Sequence, residues 1–202
     1  MEEDQKNLVD DENPLSGEET IFFMGQKERR KSSESKQLLG DYIGARTNPL
    51  IEKLISRTGD TAILFADEVV KVNKRLKMQK RVFVITNQAI YNITPESYKL
   101  RRRIALDKLN SLSLSCLSDN FLALIVPSEY DYLIASSKKT EIVMVLMEAF
   151  RQCTKHPLNI NFANVFEYSI DKQTRREIIF KNVEGGVSTQ IYTKKAPRIL
   201  EQ

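Results

Sequence analysis

The sequence is poor in the residues that build metal centres and nucleotide sites. Its 202 residues hold one histidine, His156, two cysteines, Cys116 and Cys153, and no tryptophan. A structural zinc site uses four cysteine or histidine ligands, so this composition excludes one. The seven glycines are scattered and form neither a Walker loop nor a dinucleotide-binding loop. We therefore expect no metal, no cofactor and no enzyme activity.

Long apolar runs are also missing. No stretch approaches the roughly 20 apolar residues of a transmembrane helix. The first 20 residues are acidic and lack the apolar region of a secretory signal. Two cysteines are too few for a disulfide framework. These absences favour a cytoplasmic protein, and the length suits one domain with a tail.

Charge is abundant and unevenly distributed. Residues 1–20 carry eight acids and one base, a net charge of −7. Residues 71–103 carry ten bases and one acid, a net charge of +9. Such a basic cluster indicates a polyanionic partner, although a solvated face without a partner is equally common. Since the acidic leader could compete for the basic cluster, its charge suggests autoinhibition.

The pattern along the chain predicts a mainly β domain with helices. Residues 1–35 are predicted to be a mostly disordered leader, with a basic-directed kinase site at Arg29 to Ser33. Residues 36–195 are predicted to form the domain, and residues 196–202 a tail. Residues 36–60 are predicted to be helical, with Asn48 as N-cap and Gly59 as C-cap.

About seven short strands are expected between residues 61 and 136. The predicted segments are 63–72, 81–86, 89–93, 99–106, 111–116, 121–126 and 130–135. A helix at residues 138–153 follows, with one apolar stripe: Ile142, Val145, Leu146, Ala149, Phe150 and Cys153. This order predicts a small antiparallel barrel capped by a C-terminal helix. Residues 157–195 are interpreted as a β extension packed on the same domain.

Several short motifs, in this order over roughly residues 32–195, resemble those of a known protein family. They are Gly40-Asp41-Tyr42-Ile43-Gly44, Phe65-Ala66-Asp67, Val70-Lys71-Val72-Asn73, Lys80 to Thr86, Arg102-Arg103-Ile104, Leu112 to Ser115, Ser118 to Phe121, Asp131-Tyr132-Leu133 and Lys139-Thr140-Glu141. In this spacing the sequence resembles the tail homology 1 domain of class I myosins. The resemblance implies a pleckstrin-homology-like barrel that binds anionic phospholipids. No motor, calmodulin-binding neck or SH3 domain is found here, and Met1 with the acidic leader favours a free-standing version over an excised tail.

The resemblance also implies where the lipid site lies. Pleckstrin-homology lipid sites use a lysine on the first strand and an arginine on the second, with another basic residue two positions before that arginine. Lys71 and Arg81 match the outer two, whereas Gln79 stands at the third position. Charge-driven binding is therefore expected, and stereospecific recognition of a phosphoinositide headgroup is left open.

Strand parity gives further expectations for the basic residues. If Val70 and Val72 face the barrel interior, Lys71 points outward, and the turn from Asn73 to Lys80 projects its cations from one end of the barrel. We expect Lys71 and Arg81 to contact headgroups. The positive electrostatic field that attracts an anionic membrane would come from the exposed cations of the turn: Lys74, Arg75, Lys77 and Lys80.

The remaining residues of the basic cluster leave alternatives open. Arg102 shares the parity of Ile104 and Leu106, so it points inward or to the rim, where a headgroup or an acid such as Asp107 would pair with it. Arg101 and Arg103 are expected to face solvent. Leu76 and Met78 either insert shallowly into lipid or pack against the domain.

Three classes of function fit the basic cluster. The first is a non-enzymatic peripheral module that binds acidic phospholipids on the inner face of membranes. The second is an actin-cytoskeleton or protein-interaction adaptor that uses the same surface. The third, a nucleic-acid binder, has only charge in its favour, because no helix-turn-helix or RNP signature is present.

Overall fold

The computed structural model describes residues 21–25 and 40–194, and the structural statements that follow concern these residues. They form twelve strands and two α-helices. The strands are β1 Ile21–Gly25, β2 Ile63–Val72, β3 Met78–Thr86, β4 Ala89–Ile93, β5 Leu100–Ala105, β6 Ser111–Leu114, β7 Phe121–Ile125, β8 Tyr132–Ala135, β9 Asn159–Phe162, β10 Val165–Ser169, β11 Arg175–Val183 and β12 Gly186–Lys194. The helices are α1 Pro49–Ser56 and α2 Lys139–Thr154.

The first seven strands after α1 form a pleckstrin-homology-like barrel. They are hydrogen-bonded in the order β5-β4-β3-β2-β8-β7-β6, all antiparallel, and β9 extends the sheet by pairing in parallel with β6. The interior is apolar, and Phe65, Phe83 and Leu122 are buried in it. The predicted stripe of α2 packs into the same core through Ile142, Leu146 and other members. The predicted mainly β fold with a capping C-terminal helix is confirmed.

The C-terminal extension forms a second sheet in the order β1-β12-β11-β10. Its apolar face packs against the outside of the barrel, where Phe166 and Ile178 share a core with Phe121 and Leu133. The extension therefore packs against the barrel. Ile21–Gly25 differs from the predicted disordered leader, because it adds strand β1 to the free edge of β12.

The segment before the barrel is less helical than predicted. Helix α1 begins at Pro49 and ends at Ser56, and a short 3₁₀ turn at Ala45–Thr47 precedes it. The Asn48 cap is confirmed, since its side chain accepts hydrogen bonds from the backbone N–H groups of Leu50 and Ile51. Gly40 requires glycine, because its φ is +69° and a Cβ there would lie 2.5 Å from the carbonyl oxygen of Leu64.

Some sequence-based expectations lie outside the described residues. These are the leader at residues 1–20 and 26–35, the kinase site at residues 29–33, the start of the predicted helix at residues 36–39, and the tail at residues 196–202. Within the described part, β2 and β4 match their predicted bounds. The basic turn is shorter than predicted, because β3 begins at Met78 and includes Gln79 and Lys80.

Candidate functional site

The basic turn, residues 73–77, joins β2 to β3 at the barrel end opposite α2. Its backbone is held by Asn73, whose side-chain oxygen accepts hydrogen bonds from the N–H groups of Arg75 (2.8 Å) and Lys77 (3.0 Å). The N–H of Asn73 also donates to the carbonyl of Lys77 at 3.0 Å. An asparagine that caps its own turn in this way fixes the turn geometry locally. The cationic side chains are therefore presented by an ordered loop.

The second sheet contacts this turn and holds its backbone in place. Leu76 is 2% exposed and packs into the core shared by the barrel and the second sheet, at a φ of +58°. Buried Arg176 on β11 donates to the carbonyl oxygens of Asn73 (3.2 Å) and Lys74 (2.5 Å). Of the two alternatives for Leu76, packing is therefore correct, whereas Met78 is 46% exposed.

A set of polar residues, here called the barrel mouth, lines the interior of the barrel below the basic turn. Its members are Lys71, Arg81, Asn92, Arg102 and Tyr132. Each lies two positions along a strand from a residue of the barrel core: Val69, Phe83, Ile90, Ile104 and Ile134. Five different strands therefore bring these side chains to the same end of the barrel.

The expected orientation of Lys71 is wrong. Lys71 has the same parity as Phe65 and Val69, which face the barrel core, while Val72 packs outside against the second sheet. The Lys71 ammonium is half-buried and lies 5.0 Å from the centre of the Tyr132 ring. Lys71 therefore points into the mouth instead of outward.

The electrostatics of Lys71 follow from this position. Burial lowers the pKa of Lys71, and the nearby charges of Arg81, Arg102 and Lys74 lower it further. A cation held among other cations favours an anionic ligand, because a bound anion relieves the repulsion.

Arg102 points inward, as its parity predicts, and its side chain is 6% exposed. Its guanidinium lies 3.8 Å from the centre of the Tyr130 ring and 5.9 Å from that of Tyr132. Its acidic partner is Glu129, at 3.0 Å, and not Asp107, which lies 3.9 Å from Lys108. Arg102 thus belongs to the mouth, and the loop between β7 and β8 covers it.

Arg81 is turned back onto its own strand. Its Nη1 donates to the carbonyl of Lys80 and its Nη2 to the side-chain oxygen of Gln79, both at 2.7 Å. Gln79, where the resemblance implied a further cation, therefore orients Arg81 by accepting a hydrogen bond.

The mouth contains polar atoms that are buried without a hydrogen-bond partner in the described part of the chain. They are Arg81 Nε, Arg102 Nη1, Tyr132 Oη and both amide atoms of Asn92. Burial of such an unpaired atom costs about 1–3 kcal/mol, so folded proteins keep few of them. Five such atoms at one end of the barrel indicate a site where a polar ligand or water would supply the missing hydrogen bonds.

The other expected site residues surround the mouth. Lys74 is exposed, 4.0 Å from Asp171, with its ammonium 5.6 Å from the Tyr130 ring centre. Arg75 and Lys77 are exposed on the turn, and Lys80 is exposed on β3. A cleft of about 410 Å³ lies between the turn and the second sheet, and Lys71, Lys74 and Arg75 line it together with Tyr130 and Tyr168.

Two neighbouring arginines do not join this site. Arg101 is exposed and donates to Thr94, whereas Arg103, expected in solvent, is partly buried and pairs with Asp60 at 2.8 Å. Asp60 also accepts hydrogen bonds from Thr86 (2.7 Å) and Tyr91 (2.6 Å). Burial opposes the charge of Asp60, but these three bonds outweigh it and hold its pKa below the usual value. Arg103 is therefore structural.

Sequence reasoning missed Asn92, Glu129, Tyr130 and Tyr132 as site residues. Asn92 carries a signal, because it is a polar residue at an interior position of a strand that is otherwise apolar. Glu129, Tyr130 and Tyr132 carry no such signal, because they lie 27–30 positions from Arg102 in the sequence and contact it only in the folded chain.

Residues 21–25 and 40–194 contain no group of three or more His, Cys, Asp or Glu side chains arranged to hold a metal ion. In the same residues, neither helix has the length and apolar content required to cross a membrane.

Together the fold and the site define a pleckstrin-homology-like domain with a basic open end. Residues 29–199 match the family model of the unconventional myosin tail, described as actin- and lipid-binding, and the chain belongs to this family, the myosin tail homology 1 domains. The family is a binding module, and its description names lipid and actin as partners.

Two myosin heavy chains agree with this assignment. The chain is 32% identical over 170 residues to the myosin IB heavy chain of Dictyostelium discoideum, covering 81% of this chain and 15% of that protein. It is 33% identical over 183 residues to the myosin heavy chain IB of Acanthamoeba castellanii, covering 87% and 16%. The chain thus spans about a sixth of the length of these relatives. The N-terminal pleckstrin-homology domain of human ARAP2 is 14% identical at a TM-score of 0.36, covering 43% of this chain and 77% of that one, a likeness too loose to support an argument.

Proposed function

We propose that this chain is a non-enzymatic peripheral module that binds acidic phospholipids on the inner, cytoplasmic face of membranes. The observation that carries the proposal is the convergence of Lys71 and Arg102 on the Tyr132 ring, at the barrel end that presents the basic turn. The exposed cations around them, Lys74, Arg75, Lys77 and Lys80, would face the lipid surface. This division assigns headgroup contact to the mouth and long-range attraction to the turn.

The strength of such binding can be worked out from the number of cations. Each lysine or arginine near an anionic leaflet contributes about 1 kcal/mol. Four to six cations acting together contribute about 4–6 kcal/mol, or roughly a 10³–10⁴-fold enrichment at the surface. That range suits reversible recruitment. Recognition of phosphoinositides in preference to other acidic lipids would in addition require contacts in the mouth.

Liposome co-sedimentation at two salt concentrations tests the proposal. Phosphatidylserine vesicles are compared with phosphoinositide vesicles of equal total charge, using the wild type and the Lys71→Ala/Arg81→Ala variant. We expect salt-sensitive binding by the wild type and about 30-fold weaker binding by the variant, since two cations are removed. A Lys53→Ala/Arg57→Ala variant on and beside α1 carries the same charge change as a control, and circular dichroism checks that each variant folds.

The two vesicle types separate the finer alternatives. Equal binding to both would mean that the module reads surface charge, whereas a phosphoinositide preference lost in the variant would mean headgroup recognition. Binding to neither, by a folded wild type, would refute the membrane proposal.

Actin is a second candidate ligand for the same surface. The family description names actin beside lipid, and an actin filament is also polyanionic. We propose that the turn cations contact actin when no membrane is present. Co-sedimentation with actin filaments without lipid tests this, and an unchanged affinity after loss of the turn cations would contradict it.

A further inference from the structure

Glu129 lies over Arg102, at the inner end of the barrel mouth. Its carboxylate oxygen Oε2 is 3.0 Å from Arg102 Nη2 and accepts a hydrogen bond from Arg102 Nε at 3.2 Å. The two partners differ in exposure, because the Glu129 side chain is 46% exposed and that of Arg102 only 6%. An accessible carboxylate thus covers an inaccessible guanidinium.

The contact with Glu129 leaves the floor of the mouth incomplete. Arg102 Nη2 donates to the carbonyl of Tyr130 at 2.7 Å, but Nη1 is buried and has no partner in the described part of the chain. Asn92, the cross-strand neighbour of Arg102, has both amide atoms unpaired, and so is the Tyr132 hydroxyl. Glu129 therefore pairs with only part of the Arg102 guanidinium, and hydrogen-bond donors of Arg102, Asn92 and Tyr132 remain unpaired in the described part of the chain.

The chemistry of the guanidinium indicates what could complete this floor. The planar fork of arginine binds carboxylates and phosphates in the same bidentate manner. A phosphate monoester offers three terminal oxygens and a larger charge than a carboxylate. It can therefore occupy the place of Glu129 on Arg102 and still reach a further donor of the mouth.

We propose that Glu129 is an internal competitor that occupies the position of a ligand phosphate, and that a phosphate monoester displaces it to bind Arg102. The inference rests on the proposed function and adds to it a gate that favours headgroups bearing phosphate monoesters over phosphodiester lipids such as phosphatidylserine. Glu129 lies in the six-residue connection from Val126 to Asp131, between β7 and β8. Its half-exposed side chain can leave Arg102 by rotation, without unfolding the barrel.

The test removes the competing charge and leaves the cations untouched. In Glu129→Gln the shape is kept and the carboxylate is lost, and binding of soluble inositol 1,4,5-trisphosphate is measured by titration calorimetry. We expect about threefold to fivefold tighter binding than in the wild type, the upper part of the range for loss of an exposed ion pair, because Arg102 is buried. The matched control is Glu148→Gln on α2, because Glu148 is 50% exposed and also pairs with an arginine, Arg151, at 2.8 Å. The control should bind as the wild type does.

A second variant links the gain to Arg102. Glu129→Gln/Arg102→Lys keeps the positive charge but loses the planar fork, so the threefold to fivefold gain should disappear. Equal affinities of Glu129→Gln and Glu148→Gln, weaker binding by Glu129→Gln, or no detectable binding by Glu129→Gln would each overturn the inference. Salt-sensitive binding of the wild type to phosphatidylserine vesicles reports on the proposed function separately, so the two ideas fail independently.

Discussion

Removal of the three cations of the basic turn should weaken membrane binding without loosening the fold. In Lys74→Ala/Arg75→Ala/Lys77→Ala, three exposed charges are removed. At about 1 kcal/mol each, their loss reduces affinity for anionic vesicles by about 150-fold. The ion pair of Lys74 with Asp171 is exposed and 4.0 Å long, so it subtracts little from this sum. The turn should keep its shape, because Asn73, Leu76 and Arg176 hold it and remain in place.

Vesicle co-sedimentation with phosphatidylserine at low and high salt measures this effect. The difference between wild type and variant should shrink as salt rises, because the Debye length falls from about 10 Å at 0.1 M to about 3 Å at 1 M. A triple variant with the same charge change away from the turn, Lys53→Ala/Arg57→Ala/Lys108→Ala, is the control. Equal losses in the two triple variants would show that only net charge matters, and an unaffected turn variant would refute the proposed orientation.

Three further predictions concern buried charges and the leader. Asp60→Asn should lower the free energy of unfolding by about 3 kcal/mol at neutral pH, because Arg103 and two hydroxyls lose a charged acceptor. Since the folded pKa of Asp60 is lowered, this stabilisation is present above the unfolded pKa near 3.8 and is lost as pH falls through the folded pKa, so urea unfolding of the two proteins should converge in acid. Lys139→Ala should cost about 3–5 kcal/mol in the same assay, because Asp119 is left buried beside the missing ammonium, which lies 3.2 Å away in the wild type. Deletion of residues 1–20 should strengthen binding to anionic vesicles at low salt, because their net charge is −7.

The position of β1 makes the leader test informative. Ile21 pairs with Ile191, two residues from Thr193, whose hydroxyl accepts a hydrogen bond from Arg176 below the basic turn. Strand β1 therefore begins on the side of the domain where Arg176 holds the basic turn. An unchanged low-salt affinity after the deletion would contradict autoinhibition. A difference between Asp60→Asn and wild type that persists in acid would contradict the account of Asp60.

The strands were predictable where one physical signal acts alone. The β-branched and aromatic run of β4 predicts its bounds to the residue, and Asn48 followed by Pro49 marks the start of α1. The orientation of β2 was not predictable in the same way. Its apolar residues occupy both faces, because α1 and the second sheet cover the outside of the barrel while the core fills the inside. Alternation therefore could not decide which face holds Lys71.

The candidate site was predictable in its charges but not in its pairings. The family resemblance selected Lys71 and Arg81, and strand parity placed Arg102 inward or at the rim. The contacts of Arg102 with Glu129 and of Arg103 with Asp60 join residues 27 and 43 positions apart, so only the fold reveals them. Arg103 is held by buried Asp60, whereas Arg102 is paired only with the half-exposed Glu129, so Arg102 is the arginine that a ligand could reach.

The support that Arg176 and Leu76 give the basic turn has a consequence for how the domain can be divided. Every cation of the proposed site lies before α2, so the barrel alone would contain all of the charge. Arg176, which binds two carbonyl groups of the turn, and much of the apolar surface that receives Leu76 belong to strands β10 to β12. A fragment that ends after α2 would keep the cationic side chains of the site but lose the strands that hold the basic turn in place. We therefore expect the smallest fragment that presents the basic turn correctly to extend through β12.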